Sequence, residues 1–277
     1  MAKVSAILVC QNAEQDIDRC LGSVRWADEI VVIDSFSTDR TVELARRYTD
    51  CIFQHEYPGY SRQVERAAGY CTGDWLFIID SDEECSPELA QRARAIADEA
   101  APPAGAPVGY EVLRRVQAFG KWIDHGGWYP EYKLRYFRRD AMRCEHQEVH
   151  GAFNVEGPVA RLQEQLYHYT YETIYSYLQR LNNYSSLQVA NKLKSHPDAR
   201  ASWAKIVFSP VSHFWRMLVV KGGWKDGYHG LALAALDAMV AAALYLKLWE
   251  YRMREAEGQG KLPPIWNDEI NAAKRKF

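Results

Sequence analysis

Four carboxylates occupy five positions directly after an apolar run: Trp75-Leu76-Phe77-Ile78-Ile79 leads into Asp80-Ser81-Asp82-Glu83-Glu84. The run has the length and makeup of a strand buried on both faces. In an open α/β sheet the carboxyl end of such a strand is where ligands bind. Asp80 and Asp82 are two apart, so a strand points them the same way. Two converging carboxylates repel unless a hard cation lies between them. Mg²⁺ or Mn²⁺, with phosphate completing the octahedron, is the usual solution. The plainer reading is a solvated acidic turn capping the next helix. Ser86-Pro87-Glu88 is a good helix start, with Ser as N-cap and Pro at the first helical position.

A second titratable cluster is Glu145-His146-Gln147-Glu148-Val149-His150. It holds no HExxH, and His146 and His150 would share a face only on a helix, which Gly151 and Asn154 oppose. Zinc is therefore disfavoured. A catalytic carboxylate, a diphosphate-binding His and a polar surface strand remain.

These groups need elements to place them. Val4 to Val9 reads as a first buried strand with Gln11-Asn12-Ala13-Glu14 as its exit loop. A second, Ile30 to Ile33, ends at Asp34, followed by the cap-rich loop Ser35 to Asp39 and a helix from about Arg40. Cys51 to Phe53 is a short third strand, and a helix from about Ser61 leads to the run at Trp75. Alternating strands and helices predict a parallel sheet with right-handed crossovers. Asn12, Asp34 and Asp80 then end strands on one rim, which is suited to a nucleotide. Taken alone, Asp34 reads as a turn or capping residue. There is no GxGxxG after the first strand and no GxxxxGK[ST], so neither a dinucleotide fold nor a P-loop is indicated. Phosphate charge would have to be met by a metal.

Beyond a break at 101–107, Tyr110 to Gln117 and Leu134 to Arg139 read as further strands. Gly120 to Pro130, rich in glycine and aromatics, suits a loop shaping a pocket. From Tyr167 the pattern turns helical, predicting a catalytic domain over 1–166 and a helical region over 167–277. Its helices are expected near 171–194, 201–220 and 231–254. Leu231 to Leu246 is short of the roughly 20 apolar residues a spanning helix needs. Lys205, Arg216, Lys221 and Lys225, mixed with Trp203, Trp215 and Trp224, suit helices lying in a membrane interface. Packing on the sheet domain, or a homo-oligomer contact, explains them equally well.

With 277 residues, the chain has room for one large α/β domain and an appendage. A net charge of −2 without a basic, aromatic stripe argues against nucleic acid. Six scattered cysteines make no CxxC pair, so no zinc ribbon or thioredoxin-like site is expected. The start leads straight into a strand, which leaves no room for a signal peptide and points to reduced thiols in cytoplasm.

Asn12 and Glu14, Val31 to Ser35 with Ser37-Thr38-Asp39, and Gly73-Asp74-Trp75 leading to Asp80-Ser81-Asp82-Glu83 together resemble the GT-A inverting glycosyltransferases of family 2. Gly126 to Pro130, Leu134 to Arg139 and Lys221 to Gly227 are similar to its lipopolysaccharide-core glucosyltransferase branch. The resemblance covers nearly the whole chain. It implies a metal-dependent transfer of a hexose, glucose by that branch, from a UDP-sugar to a lipid-linked glycan on the inner face of the inner membrane. Asp34 would contact the uracil, with Asn12 and Glu14 beside the nucleoside and Arg62 near the donor. Asp80 would sit at ribose and metal, and Asp82 would hold the Mg²⁺ or Mn²⁺ that bridges the diphosphate. Relatives commonly have Val-His-Glu where this chain has Val149-His150-Gly151. Glu148 becomes the candidate base, with His150 near the diphosphate and Glu145 and Asp124 in reserve. Asp124, Trp128 and Tyr129 are the acceptor-side candidates. A different cell-envelope polysaccharide or a protein acceptor is the nearest alternative. A nucleotidyltransferase, or a non-catalytic carbohydrate-binding protein on the same fold, stands further off.

Overall fold

The computed structural model describes residues 1–99, 103, 105–144 and 153–257. The described chain divides into two compact units, Met1–Arg115 with Pro130–Tyr169, and Val116–Tyr129 with the described residues from Thr170 to Glu257.

The first unit starts with β1 (Val4–Cys10), α1 (Ile17–Ser23), β2 (Glu29–Asp34), α2 (Thr41–Ala45), β3 (Ile52–Gln54), α3 (Tyr60–Tyr70) and β4 (Trp75–Asp80). The chain continues with β5 (Glu83–Cys85), α4 (Pro87–Asp98), β6 (Gly109–Ala118), β7 (Lys121–Trp122), β8 (Glu131–Arg138), β9 (Met142–Cys144), β10 (Phe153–Val155) and β11 (Val159–Tyr171); β7 and the last residues of β6 and β11 fall in the second unit. The main sheet runs β3-β2-β1-β4-β8-β6-β11-β5, with β7 paired to β6. The α/β architecture expected from the sequence, a sheet flanked by helices and followed by a helical C-terminal region, is what the chain adopts. β3, β2, β1 and β4 are parallel, and β8 joins β4 antiparallel.

β4 shows why the run at Trp75 had to be central. Trp75, Phe77 and Ile79 face one core with Ile17, Leu21 and Leu89. Leu76 and Ile78 face the other core with Val64 and Ala67 of α3. Both faces are covered, so an unbroken apolar run is the only pattern that fits. Burial of Leu76, Phe77, Ile78 and Ile79, all 1% exposed or less, contributes about 1.5–3 kcal/mol each. Gly73 precedes the strand because a Cβ there would lie 2.5 Å from Ser5 Oγ and 2.7 Å from Ser5 N on β1. α4 begins as expected, with Ser86 Oγ accepting from Leu89 N at 3.1 Å and Pro87 in its first turn.

Two expectations need correction here. The acidic stretch after β4 is not a solvated turn, because Glu83 opens β5 and is fully buried. The switch to helix at Tyr167 comes later, since β11 continues to Tyr171 with Leu162, Leu166 and Thr170 buried. Val, Leu and Tyr on a strand with a covered face outweigh the weaker helical period there.

The second unit holds α5 (Ile174–Ser195), α6 (Trp203–Trp215) and α7 (Tyr228–Ala256). α5 is started by a reciprocal cap between Thr173 and Ser176. α6 passes into a π-helical turn over Arg216–Val220. Leu233 and Leu236 of α7 pack with Tyr177, Ala118 and Ile123. Gly230 lets α7 meet the Gly223 carbonyl oxygen where a Cβ could not fit. The sixteen-residue apolar count understated α7. As a 29-residue helix with an 18-residue window of mean hydropathy 1.8, it is long and apolar enough to cross a membrane by length and composition. Its ends recruit Tyr228 to Gly230 and residues beyond Leu246, which the count left out.

Candidate functional site

Parallel pairing brings the ends of β1, β2 and β4 to one rim, Cys10 beside Asp34 and Val9 beside Asp80. This is the rim expected for Asn12, Asp34 and Asp80.

Around Asp34 the side chains bind each other. Asp34 is fully buried, and its carboxylate accepts from Ser37 N at 3.0 Å, from the Ser37 hydroxyl and from Gln54 Nε2 at 2.8 Å. Asn12 holds a left-handed φ of 51°. Its N–H donates to Ser37 Oγ at 2.8 Å, and its Oδ1 accepts from Thr38 N at 2.8 Å. Glu14 Oε2 accepts from Arg40 N at 3.1 Å. Asp39 accepts from Thr41 N at 3.0 Å and Glu14 N at 3.2 Å. Burial, which would raise its pKa, is outweighed by these hydrogen bonds, and the carboxyl is held below the usual range. Asn12, Asp34 and Glu14 thus brace the loop 35–40.

At the end of β4, Asp80 is held rather than free. Its Oδ1 accepts from Tyr60 OH at 2.6 Å and its Oδ2 from Arg135. Arg135 comes from β8 and its side chain is only 6% exposed. It also donates to Glu83 Oε1 at 2.8 Å and to Tyr60 OH at 2.7 Å. Glu83 takes the Asp80 N–H at 3.0 Å and lies 3.4 Å from Arg114, which is clamped by Glu131 at 2.6 Å. Burial raises the Glu83 carboxyl; Arg135 opposes the rise and Asp80 adds to it. For Arg135 burial pulls the pKa down, but the carboxylates of Asp80 and Glu83 outweigh it and hold the guanidinium charged.

Asp82 is presented differently. The turn between β4 and β5 carries it outward, and Tyr169 N fixes its carbonyl at 2.9 Å. Its carboxylate, 22% exposed, lies 3.3 Å from Nε2 of His168 on β11. His168 stands opposite Glu83 in the antiparallel register, and its buried Nδ1 has no hydrogen-bond partner among the described residues. A carboxylate oxygen and an imidazole nitrogen at a partly open corner fit Mg²⁺ or Mn²⁺. Such ions take one or two protein ligands and fill the rest from phosphate and water. The Asp80 carboxylate is engaged by Tyr60 and Arg135. Among the described residues no three His, Cys, Asp or Glu side chains form a metal cage.

Arg62 lies exposed on the first turn of α3. Glu145, Glu148, His150 and Gly151 lie outside the described residues. Asp124, Trp128 and Tyr129 belong to the second unit, where the Trp128 and Tyr171 rings meet edge to face at 6.2 Å. Sequence reasoning missed Tyr60, Glu83, Arg114, Arg135 and His168 as parts of the site. One signal was legible: Arg135 interrupts the apolar Leu134-Arg135-Tyr136-Phe137, and a charge within a buried strand needs a partner. His168 carried none.

The chain is 29% identical over 257 residues to the lipopolysaccharide core biosynthesis glycosyltransferase LpsC of Rhizobium meliloti, covering 89% of this chain and 92% of that one. A glycosyltransferase of Rickettsia felis is 26% identical over 91% of this chain and 90% of its own. Among solved structures, that of S. aureus TarS 1-349 in complex with UDP-GlcNAc is similar at 15% identity and a TM-score of 0.45, over 98% of this chain and 90% of TarS. The family model for glycosyl transferase family 2 matches residues 5–154, more than half of the 277, and the chain is a glycosyltransferase belonging to that family.

Proposed function

We propose that the enzyme transfers a hexose, with inversion, from a UDP-sugar to a lipid-carried glycan of the lipopolysaccharide inner-core kind, with Mg²⁺ or Mn²⁺ held at Asp82 and His168. The observation that carries this is the Asp82–His168 pair, 3.3 Å apart at the carboxyl end of β4 on the rim shared with Asp34. The likeness to LpsC supports the acceptor class.

When bound, the cation supplies positive charge against the diphosphate that leaves with the nucleoside. The chain's own residues prepare for it. Arg135 and Tyr60 fix the Asp80 carboxylate in one orientation, so no reorganisation is needed when the donor arrives. Asn12, Glu14 and Asp34 hold the loop that receives the nucleoside, and Arg62 faces solvent with its charge available to the donor. Glu148 is assigned as the base that takes the proton of the acceptor hydroxyl as that oxygen attacks the anomeric carbon, and His150 is assigned to the diphosphate. The reaction takes place at the inner face of the inner membrane.

The test is UDP release from a panel of UDP-sugars with Mn²⁺, comparing wild type with Asp82→Ala. Equal rates in the two remove the metal role. Glu148→Gln should retain UDP binding by calorimetry while transfer falls by about 10²–10⁴-fold; unchanged turnover moves the base elsewhere.

A further inference from the structure

α6 presents an apolar face outward. Trp203, Val207, Val211 and Trp215 recur at four-residue steps and, with Phe208, span about 140° of the helix at 3.6 residues per turn. All five are exposed, Trp203 by 74%, Val211 by 61% and Trp215 by 60%. The opposite side is anchored: Met217 just beyond the helix is buried, and His213 Nδ1 lies 3.1 Å from Asp237 of α7. Lys205 is exposed about 60° beyond the edge of the arc.

Charge selects the occupant. From Ala199 to Lys225 the chain has Arg200, Lys205, Arg216, Lys221 and Lys225 and not one Asp or Glu, although the whole protein carries −2. A second copy bound through a two-fold axis would set this basic stretch against itself. An anionic lipid surface takes both the charge and the apolar arc, and tryptophans at both ends of a helix suit the headgroup level. A crossing by α7 is opposed by its polar ties. Asp237 is paired with His213, and Lys247 Nζ donates to Asn182 O at 2.7 Å and Ser186 Oγ at 2.7 Å. Crossing would carry these groups into hydrocarbon.

We propose that α6 lies in the plane of an anionic bilayer, its Trp203–Trp215 face at the headgroup–acyl boundary and Lys205, with Lys221 beyond the helix, on lipid phosphates, without spanning it. A lipid-carried acceptor, as proposed above, gives this docking its purpose; the binding itself does not depend on that reading.

The full chain is sedimented with phosphatidylcholine vesicles, with and without phosphatidylglycerol, at low and high salt. Wild type should pellet only with the anionic vesicles and be released by salt. Lys205→Gln and Lys221→Gln should each weaken partition roughly fivefold, and Val211→Asp roughly tenfold or more. Melting temperature and UDP-sugar hydrolysis should stay at wild-type values, since all three side chains are exposed. Wild type remaining in the supernatant at low salt overturns the proposal, as do variants that pellet like wild type. Self-association abolished by Val211→Asp, without lipid binding, would give the face to a second copy instead. Vesicle binding without any UDP-sugar turnover supports the docking and removes only the transfer reading.

Discussion

Replacing Arg135 by Met tests the buried charge cluster. Met fills similar volume but withdraws the donors that reach Asp80, Glu83 and Tyr60. Among the described residues Glu83 then keeps hydrogen bonds from the Asp80 N–H and an Arg114 guanidinium at 3.4 Å, with no exposure to water. Breaking one side of such a buried pair costs about 3–5 kcal/mol. At about 1.4 kcal/mol per tenfold, that is roughly two to four orders of magnitude in the opening equilibrium. Hydrogen exchange by mass spectrometry on peptides from Trp75–Asp80 and Glu131–Arg138 reads this locally, whatever the rest of the molecule does. A pH signature accompanies the loss. Burial already raises the Glu83 carboxyl, and removing Arg135 takes away the charge that opposes the rise. A raised folded-state pKa contributes stability that is whole below the unfolded value and lost as pH rises through the folded one. The variant's deficit should therefore be larger at pH 8 than at pH 5. Glu83→Gln in the same chain should return part of the loss, a coupling of about 1–3 kcal/mol. Protection within about 1 kcal/mol of wild type, flat with pH and additive with Glu83→Gln, would refute the view that Arg135 compensates these carboxylates.

Three further outcomes are expected. His168→Ala should weaken Mn²⁺ binding in the presence of UDP by about tenfold or more, read by electron paramagnetic resonance; unchanged affinity takes His168 out of the ligand set. Thiol titration of the native protein at pH 8 should leave Cys10, Cys20, Cys71 and Cys85 unreacted until denaturant is added. All four are buried, and burial pushes the Cys71 and Cys85 thiols up to about 12. Rapid native reaction of more than two of the six thiols contradicts that burial. Asp39 is held below its ordinary range, so its stabilisation is whole above roughly pH 4 and disappears as pH falls through the folded value. Wild type should lose melting temperature more steeply than Asp39→Asn below that pH, and parallel curves would remove the loop-bracing role.

The sequence alone determined the frame. An apolar run buried on both faces can only be a central strand, so β1, β2 and β4 were legible, and their shared direction followed from the helices between them. Ser86-Pro87 marked the start of α4 because capping is a local interaction among neighbours. The acidic corner at Asp80 and Asp82 was legible for the same reason. Tertiary structure decided what each carboxylate does. Asp80 meets Arg135 across 55 positions and Glu83 meets it across 52, and no local pattern specifies which distant side chain will compensate a buried charge. The same distance kept His168 out of view, since its tie to Asp82 depends on the antiparallel register of β11 against β5. Propensity and periodicity describe what a segment forms by itself, whereas electrostatic partners are chosen by the fold that brings segments together.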